Sequence, residues 1–413
     1  MMPSPARSRL RQPRALNHYK EPLLQTPFHA RFEEHMMTDD WYNWAGYAAA
    51  HVVEDQELEY TAIRNTASVF DISPMVKYRI EGRDAESYLN RFTLRDVGTL
   101  KPGRVQYTAW CDDDGKLLDD GTIFRLSESA FRLLCQERHL PWLLDSALGF
   151  NVTITEETDE FAGLALQGPT SCWTLKMAGF KGIEKLRPFD LVTFKASKGL
   201  PAISISRTGF TGDLGYELFT APEGANALWD RLMEAGKERG GVRPIGSAAL
   251  EIARLEAGFI ATNADFVAAD QALRANRTRS PYEAGLDWMV NFSKGHFNGR
   301  NALKREHEQG TSRYILVGLE LEGNIPAPLS VVYARKKTDV GIITASAWSP
   351  TAKRNIALGV LDRQYGTKWN DDLWAEIYAL RELQYERLWV RVRITGRPFV
   401  KLARRTATPP ADF

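Results

Sequence analysis

The 413-residue sequence has almost no net charge and no long apolar segment. Lys and Arg number 53 and Asp and Glu number 52, so the sequence lacks the excess of basic residues that binding to nucleic-acid phosphates requires. No window approaches the ~20 consecutive apolar residues that span a bilayer, and no apolar segment follows the basic N-terminus. We therefore expect a cytoplasmic protein that binds neither nucleic acid nor membrane.

Residues that form disulfides or bind metals are also sparse. Cys111, Cys135 and Cys172 are an odd number, lie far apart and form no C-x-x-C pair, so they predict neither a disulfide framework nor a zinc site. The seven histidines lack the spacing of a helical or hairpin metal site. We expect reduced cysteines that serve packing, and no bound metal.

The sequence pattern changes along the chain, and 413 residues are enough for two or three domains. We expect a disordered basic arm over 1–24, because its prolines interrupt the amphipathic helix that a targeting signal needs. Residues 25–150 and 151–309 mix short strands and helices without βαβ regularity, which favours two α+β domains that can interleave. Residues 310–405 carry strand patterns alone and predict a small β-barrel or sandwich. The predicted fold class is α+β.

Hydrophobic periodicity locates the individual elements. Val76, Tyr78 and Ile80 alternate with polar residues as in a half-buried strand, and Asp84 is placed to cap the following helix. Further strands are predicted over 122–126, 131–135, 152–155 and 202–206, and helices over 169–179, 222–236 and 246–258. In the last segment, strands are predicted over 314–321, 340–345, 355–361, 374–378 and 388–394.

An acidic turn leads into one of these strands. Residues 112–115 have ordinary turn composition, but Asp119 and Asp120 follow two leucines at the entry to an apolar strand. Successive strand residues face opposite ways, so only one of the two carboxylates can point into a given cavity. The alternative interpretation is a pair of solvated hairpin acids.

A glycine-rich segment, 206–218, lacks the G-x-G-x-x-G and G-K-[ST] patterns of nucleotide binding. Phe210 and Tyr216 offer aromatic surface, and Glu217 offers a carboxylate that can accept two N–H donors from the edge of an amino-pyrimidine. These residue types suit a flat, hydrogen-bonding heterocycle. A tight hairpin whose glutamate faces solvent fits them equally well.

Three further segments carry weaker signals. Arg254 lies near the end of the predicted helix 246–258, where a cation complements the helix dipole. Residues 280–303 contain Glu283 and Trp288, and residues 341–350 are predicted as a strand that ends in a hydroxyl-rich loop containing Trp348. Packing alone is a sufficient explanation for each of them.

Taken together, these segments resemble the aminomethyltransferase family in their order and separations. The resemblance covers about residues 25 to 400 and rests on eight blocks, at 26–30, 70–73, 116–120, 166–169, 207–217, 254–258, 283–286 and 341–350. The family includes the T-protein of the glycine cleavage system, the folate domains of dimethylglycine and sarcosine dehydrogenases, and tetrahydrofolate-dependent demethylases. The resemblance implies a three-domain cloverleaf, two α+β domains and a C-terminal β-barrel, around a central hole that binds tetrahydrofolate as co-substrate.

The resemblance also implies roles for residues of this chain. The catalytic carboxylate of the family is the second Asp of a G-x-x-x-D-D motif and matches Asp120, and the pterin-binding Glu matches Glu217. The Tyr seven residues before that Glu matches Phe210, and a folate-contacting Tyr thirteen residues before the catalytic Asp matches Tyr107. The expected cofactor-binding set is completed by Arg254 and Trp348.

Two departures bear on which family member this is. T-proteins usually read Tyr-Thr-Gly-Glu-Asp-Gly where this chain reads Phe-Thr-Gly-Asp-Leu-Gly over 210–215, which is nearer to the dehydrogenase folate domains and the demethylases. They also usually carry a second Arg four residues before the one that matches Arg254, where this chain has Leu250. We find no flavin domain, so oxidation of an amine is expected to need a partner oxidase.

Our leading interpretation is a tetrahydrofolate-dependent demethylase that moves a methyl group from a small N-, O- or S-methylated metabolite to N5 of the folate. Asp120 is expected to hold the acceptor and Glu217 to fix the pterin, while Asp119 is expected to matter less. Trp288 and Trp348 offer aromatic surface to the donor. Two alternatives stay open: a glycine cleavage T-protein that acts on a lipoyl carrier protein, and a non-catalytic folate-binding relative.

Overall fold

The computed structural model describes residues 22–197, 199–367, 372–407 and 409. The basic arm predicted over 1–24 lies outside the described residues, apart from its last three positions. The α-helices are α1 (His29–Glu33), α2 (Gln56–Asn65), α3 (Ala85–Phe92), α4 (Leu140–Ser146), α5 (Ser171–Met177), α6 (Ala225–Gly236), α7 (Ser247–Glu256), α8 (Arg300–Gln309) and α9 (Arg363–Gly366). Within the described ranges, no helix is long and apolar enough to cross a membrane.

The strands, numbered along the chain, form a hairpin, two open sheets and a barrel. The hairpin pairs β1 (Trp41–Trp44) with β2 (Tyr47–Ala50). The six-stranded sheet has the order β10 (Leu191–Phe194), β11 (Ile203–Ser206), β12 (Gly215–Thr220), β9 (Ala162–Gln167), β3 (Ala67–Asp71), β13 (Val242–Pro244). The five-stranded sheet has the order β5 (Arg104–Cys111), β6 (Leu117–Arg125), β7 (Ala130–Cys135), β4 (Val76–Glu81), β8 (Thr153–Glu156).

The five-stranded sheet follows its sequence pattern closely. Tyr78 and Ile80 of β4 are fully buried, as their alternation predicts. Lys77, expected on the exposed face of a half-buried strand, is fully buried too, and its Nζ donates to the carbonyls of Ser73 and Met75 at 2.9 and 2.7 Å. Helix α3 begins directly after Asp84, but the Asp84 carboxylate accepts a hydrogen bond from the N–H of Asn151 at 2.8 Å and makes no side-chain capping bond. Strand β6 begins five residues before the predicted strand at 122, so Asp119 and Asp120 lie within it.

Residue 150 does not separate the two open sheets. Strand β3, from the first segment, lies between β9 and β13 in the six-stranded sheet, and β13 pairs with it in parallel. Strand β8, from the second segment, is an edge strand of the five-stranded sheet. The two segments therefore exchange one strand in each direction.

The last segment closes into a six-stranded barrel. Its order is β14 (Tyr314–Leu321), β17 (Arg354–Asp362), β16 (Thr338–Ser349), β15 (Val331–Ala334), β18 (Leu373–Arg381), β19 (Gln384–Thr395), and β19 also pairs with β14. This excludes the sandwich alternative and confirms the α+β fold class with a C-terminal barrel. The segment 341–350, predicted as a strand ending in a loop, remains in β16 as far as Ser349.

One hydrophobic cluster joins the two sheets, α7 and the barrel. Phe124 of the five-stranded sheet meets Phe219 of the six-stranded sheet with ring centroids 5.9 Å apart, and Leu255 of α7 and Leu358 of the barrel belong to the same cluster. All three cysteines are buried free thiols. The cluster fixes the sheets and the barrel around the cavity described next.

Candidate active site

A cavity of about 1180 Å³ lies where the two sheets, α7 and the end of the barrel meet. Its wall includes five of the six residues singled out from the sequence: Tyr107, Asp120, Phe210, Glu217 and Arg254. They come from β5, β6, the loop between β11 and β12, β12 and α7. Residues far apart in the sequence thus face one space, which is at the upper end of the size range of small-molecule sites.

Asp120 lies on β6 with its carboxylate in a hydrogen-bonded corner of the cavity. The hydroxyl of Tyr107 donates to its Oδ2 at 2.6 Å, and the hydroxyl of Thr262 lies 2.8 Å from its Oδ1. Burial, followed by the negative charge of Asp119, raises the pKa of Asp120 to about 7. A carboxyl group in this environment can hold or release a proton near neutral pH.

Asp119 points to the opposite face of β6, as strand geometry predicts, but it is not independent of Asp120. Its side chain is fully buried and accepts hydrogen bonds from the N–H groups of Asp120 and Glu137, at 2.8 and 3.1 Å. The Nε2 atom of His139 lies 3.0 Å from Oδ2, and the hydroxyl of Thr262 lies 2.6 Å from Oδ1. The expectation that Asp119 matters less is therefore not supported by its surroundings.

Tyr107 reaches Asp120 from the neighbouring strand β5. Its pKa is raised well above the usual value by burial and by the adjacent Asp120, so its phenol stays protonated and acts as a donor. The backbone carbonyl of Tyr107 accepts a hydrogen bond from Arg95 at 3.0 Å. This fixes the side from which Tyr107 approaches the carboxylate.

Glu217 lies in the middle of β12 and is buried, which excludes the alternative of a solvated hairpin acid. The hydroxyl of Thr208 donates to its Oε2 at 2.5 Å, and Ser206 lies 2.6 Å from Thr208. Burial raises the pKa of Glu217 above its usual value. No basic side chain forms an ion pair with it in the part of the chain that the structure describes, so its remaining acceptor capacity is available to a ligand.

The glycine-rich loop is shaped by Gln167 of β9. A Cβ atom on Gly209 or Gly215 would lie 2.1 or 2.2 Å from the Oε1 atom of Gln167, so a side chain at either position would displace the Gln167 amide. The Gln167 amide donates to the carbonyls of Thr208 and Tyr216 at 3.3 Å each. The loop is thereby held against β9, with Glu217 facing the cavity.

Phe210 forms part of an aromatic stack at the edge of the cavity. Its ring stacks on Phe259 with centroids 5.6 Å apart. Arg405, which lies on the segment after the barrel, has its guanidinium 4.7 Å from the Phe259 ring. Phe210 is 38% exposed. The stack gives the cavity a flat apolar wall that a planar ring can contact.

Arg254 is fully buried at the end of α7 and does more than complement a helix dipole. Its guanidinium donates to Asp265 at 2.5 Å, to Glu251 on the same helix and to the carbonyl of Phe259 at 2.8 Å. Asp265 also accepts a hydrogen bond from Thr344 of β16. Arg254 thus connects α7, the loop after it and the barrel, and it orients the cavity wall.

The two tryptophans have different positions. Trp288 lines the cavity, is 59% exposed and has the Arg95 guanidinium 5.4 Å from its ring. Trp348 is 40% exposed on the outer face of β16 and is not among the described residues that line the cavity. The structure therefore does not bring Trp348 to the site, because strand alternation turns Ala347 and Ser349 inward and Trp348 outward.

Sequence analysis missed several cavity residues. Thr262, Arg95 and Arg397 line the cavity, but they lie in segments without a distinctive pattern. Neither Arg95 nor Arg397 forms an ion pair with a carboxylate of the described residues. One face of α7 lines the cavity, with residues at the helical spacing i, i+3, i+4, i+7: Ser247, Leu250, Glu251 and Arg254. This helical period was the one sequence signal that could have identified cavity residues.

Comparison with known proteins identifies the family. The description "GCVT N-terminal domain" matches residues 28–294, and the description "Glycine cleavage T-protein C-terminal barrel domain" matches residues 315–401. The chain belongs to the glycine cleavage T-protein family. Members of the glycine cleavage T-protein family use tetrahydrofolate as co-substrate, and the chain is accordingly a tetrahydrofolate-dependent one-carbon transferase.

Relatives within and beyond the T-proteins match most of the chain. An aminomethyltransferase of Caldanaerobacter subterraneus is 32% identical over 328 residues, which cover 78% of this chain and 84% of that protein. The trimethylamine-oxide aldolase of Ruegeria pomeroyi is 34% identical over 352 residues, which cover 82% of this chain and 43% of that protein. The crystal structure of the glycine cleavage system aminomethyltransferase T from Bartonella henselae has a TM-score of 0.79 at 24% identity, over 92% of this chain and 98% of that one. This last likeness shows a shared fold.

The residues of the cavity fit the folate that the T-protein family uses. Glu217 offers a buried acceptor to the N–H edge of a pterin, and the stack of Phe210 on Phe259 offers a flat wall. Arg95 and Arg397 line the same cavity and are cations without a carboxylate partner in the described part of the chain, which suits the anionic glutamyl end of a folate.

Proposed function

We propose that the chain is a demethylase that transfers a methyl group from a small N-, O- or S-methylated metabolite to N5 of tetrahydrofolate. The observation that carries the proposal is the position of Asp120, whose carboxylate shares one cavity with Glu217, Leu250 and Trp288. Tetrahydrofolate supplies N5, which forms a bond to the methyl carbon. The bond from that carbon to the N, O or S atom of the donor breaks, and the demethylated metabolite leaves with the electron pair. The residues of this chain orient the two substrates and accept a proton.

Asp120 is the proposed proton acceptor. With its pKa raised to about 7 by burial and by Asp119, its carboxylate can take the proton that an amine nitrogen loses once it has been alkylated. As an anion, it also stabilises positive charge that develops on that nitrogen in the transition state. Tyr107 holds one carboxylate oxygen in place at 2.6 Å.

Glu217 and Arg254 are proposed to position the folate. Glu217 accepts N–H groups of the pterin, while Thr208 holds one of its oxygens at 2.5 Å. Arg254 does not need to contact the folate, because its bonds to Glu251 and Asp265 fix the cavity wall. Holding both reactants in one geometry removes much of the entropy cost of the transfer.

The choice of a small donor is supported by Leu250 and by a relative. Leu250 faces the cavity from α7 at the position where T-proteins usually carry an Arg, so the wall beside Glu251 is apolar and uncharged there. One relative, 34% identical, is named trimethylamine-oxide aldolase, and trimethylamine oxide is a small methylated amine derivative. Trp288 offers an aromatic face to such a donor.

A second candidate function is that of a glycine cleavage aminomethyltransferase. It is favoured by the curated relatives that bear this name, at 30 to 33% identity. In that case the donor is the aminomethylated lipoyl arm of a carrier protein, and ammonia is released. A lipoyl carrier protein is then the required partner.

One experiment separates the two candidates. The protein is incubated with tetrahydrofolate and a panel of methylated amines, aryl methyl ethers and sulfonium compounds, and 5-methyl- and 5,10-methylene-tetrahydrofolate are followed by chromatography. A parallel reaction contains an aminomethylated lipoyl carrier protein and is assayed for ammonia. We expect 5-methyl-tetrahydrofolate with at least one small donor and no carrier. Product from the carrier reaction alone would replace the demethylase proposal by the aminomethyltransferase.

A further inference from the structure

The hydroxyl of Thr262 lies between two carboxylates. Its oxygen is 2.6 Å from Oδ1 of Asp119 and 2.8 Å from Oδ1 of Asp120. A hydroxyl has one proton to donate, so it cannot donate fully to both oxygens. Both contacts are complete hydrogen bonds only when one of the two carboxyl groups is itself protonated and donates to the Thr262 oxygen.

The two carboxyl groups differ in their other contacts. The backbone N–H groups of Asp120 and Glu137 donate to Asp119, and His139 lies at 3.0 Å from Oδ2. Together with Thr262, these are four partners around one fully buried side chain, so both oxygens of Asp119 are already occupied. Asp120 has fewer partners and opens onto the cavity.

The contacts of Asp120 also distinguish its two oxygens. Oδ2 accepts the proton of Tyr107 at 2.6 Å, which leaves Oδ1, the oxygen beside Thr262, to carry a proton. Thr262 itself is held in place, since it is 2% exposed and its carbonyl accepts a hydrogen bond from Gln136 at 3.3 Å. Rotation of one O–H bond is then the only change needed when Asp120 gains or loses its proton.

We propose that Thr262, held between Asp119 and Asp120, is a positioning residue that couples the protonation of Asp120 to the neighbouring carboxyl group of Asp119. When Asp120 is neutral, its Oδ1–H donates to Thr262, and Thr262 donates to Asp119. When Asp120 is ionised, the Thr262 hydroxyl turns its proton toward Asp120, and Asp119 keeps its other three partners. The proposal deepens the proposed function, on which it rests, by giving Asp120 a defined oxygen on which to store the transferred proton.

Other titratable groups surround this cluster and must be held constant in a test. Those that face it from the packed elements are Tyr107 of β5, Cys135 of β7, Glu137 after β7, His139 before α4, and Asp270, whose Oδ2 is 3.7 Å from Nδ1 of His139. The variants below leave all of them unchanged. A change in the titration of Asp120 then reports on Thr262 or Asp119.

The test measures the protonation of Asp120 directly, without any folate or donor. Infrared difference spectra between acid and neutral pH record the carboxylic-acid band of the full-length protein, and the Asp120→Asn variant identifies the part of the band that belongs to Asp120. In Thr262→Val, which removes the hydroxyl, both forms of Asp120 lose a hydrogen bond. The bond to the ionised form is charge-assisted and the stronger of the two, so we expect the titration midpoint of Asp120 to rise by about one pH unit. In Thr262→Ser, which keeps the hydroxyl, the midpoint should return to within a few tenths of the wild-type value.

The Asp119→Asn variant should shift the titration midpoint of Asp120 in the opposite direction. Removal of the neighbouring negative charge should lower the midpoint of Asp120 by about one pH unit or more. A purely structural role of Thr262 and Asp119 predicts lower thermal stability with an unchanged midpoint in both variants, and that result would overturn the proposal. Equal midpoints for Thr262→Val and Thr262→Ser would overturn it as well.

These outcomes are separable from failure of the proposed function. If no small donor is turned over but the midpoints shift as expected, the coupling stands and only the identity of the donor is wrong. If turnover is found but the midpoints do not move, the demethylase proposal stands and the coupling is rejected. If Thr262→Val fails to fold, Thr262→Ala, which also removes the hydroxyl, takes its place in the comparison with Thr262→Ser.

Discussion

Tyr107 and Asp120 lie diagonally across two antiparallel strands, with Ala109 opposite Asp120 and Tyr107 opposite Thr122. Both side chains then lie on the same face of the sheet, and the phenol reaches the carboxylate at 2.6 Å. Their separation of thirteen positions in the sequence is set by this register and by the turn that joins β5 to β6. The spacing found in the sequence is therefore the consequence of one hairpin.

Substitution of Asp120 tests its proposed part in the transfer. Asn keeps the volume and loses the charge, so Asp120→Asn should reduce turnover by about a hundredfold or more while the protein stays folded. Steady-state formation of the methylated folate measures this. Asp113→Asn, an exposed acid in the preceding turn, is the matched control and should keep wild-type turnover. Near-normal turnover of Asp120→Asn would show that another group accepts the proton.

The raised pKa of Asp120 also makes the free energy of unfolding depend on pH, and Asp120→Asn should remove this dependence. Since the pKa of Asp120 is raised to about 7 in the folded state, the folded protein binds this proton more tightly than the unfolded chain does. The stabilisation is present below the ordinary pKa of an aspartate and is lost as the pH rises through about 7. Between pH 5 and pH 8, Asp120→Asn should therefore gain on the order of 2 kcal/mol in free energy of unfolding relative to wild type. Urea denaturation at the two pH values measures the difference, and an equal offset at both would contradict it.

Removal of Glu217 should weaken folate binding. The buried carboxylate is expected to accept N–H donors of the pterin, and loss of such charge-assisted bonds costs ~1.5–3 kcal/mol, or about a 10- to 150-fold rise in Kd. Calorimetric titration of Glu217→Ala with tetrahydrofolate gives the value. Glu223→Ala, which changes an exposed acid shortly after β12, should bind as wild type does. Equal affinity of the two variants would remove Glu217 from the site.

Arg254 is expected to act on stability. In Arg254→Leu the buried Asp265 loses a partner at 2.5 Å, and an uncompensated buried charge costs about 3–5 kcal/mol. Thermal or urea denaturation measures this loss. The double variant Arg254→Leu, Asp265→Asn removes the charge as well and should recover part of the stability. If the single and double variants are equally unstable, packing of the Arg254 side chain, and not its ion pair, is what α7 requires.

Local patterns predicted many of the elements but not the roles of the site residues. The predicted strands and helices follow from alternation and helical period. For Asp120 and Glu217, which lie within β6 and β12, the residue patterns left a solvated hairpin acid as the alternative, and their expected roles came from the family resemblance. Thr262 could not be found from the sequence, since it meets Asp120 across 142 positions of sequence through a loop without periodicity. Trp348 was expected among the cofactor-binding residues, but the segment 341–350 continues as a strand, and alternation along β16 turns its side chain away from the cavity that the other five residues line.

The last prediction concerns Leu250, whose apolar side chain faces the cavity beside Glu251. A guanidinium introduced there would repel a cationic donor such as a quaternary ammonium or a sulfonium, and would act little on an uncharged aryl ether. Leu250→Arg should therefore lower kcat/KM for cationic donors by about tenfold or more and leave the affinity for tetrahydrofolate within about twofold. Initial rates with both donor classes, with Leu250→Met as the control of similar volume, provide the comparison. Unchanged rates of Leu250→Arg with a cationic donor would show that the donor binds away from α7. If Leu250→Arg instead gains ammonia release from an aminomethylated carrier protein, this position selects between small donors and the lipoyl arm.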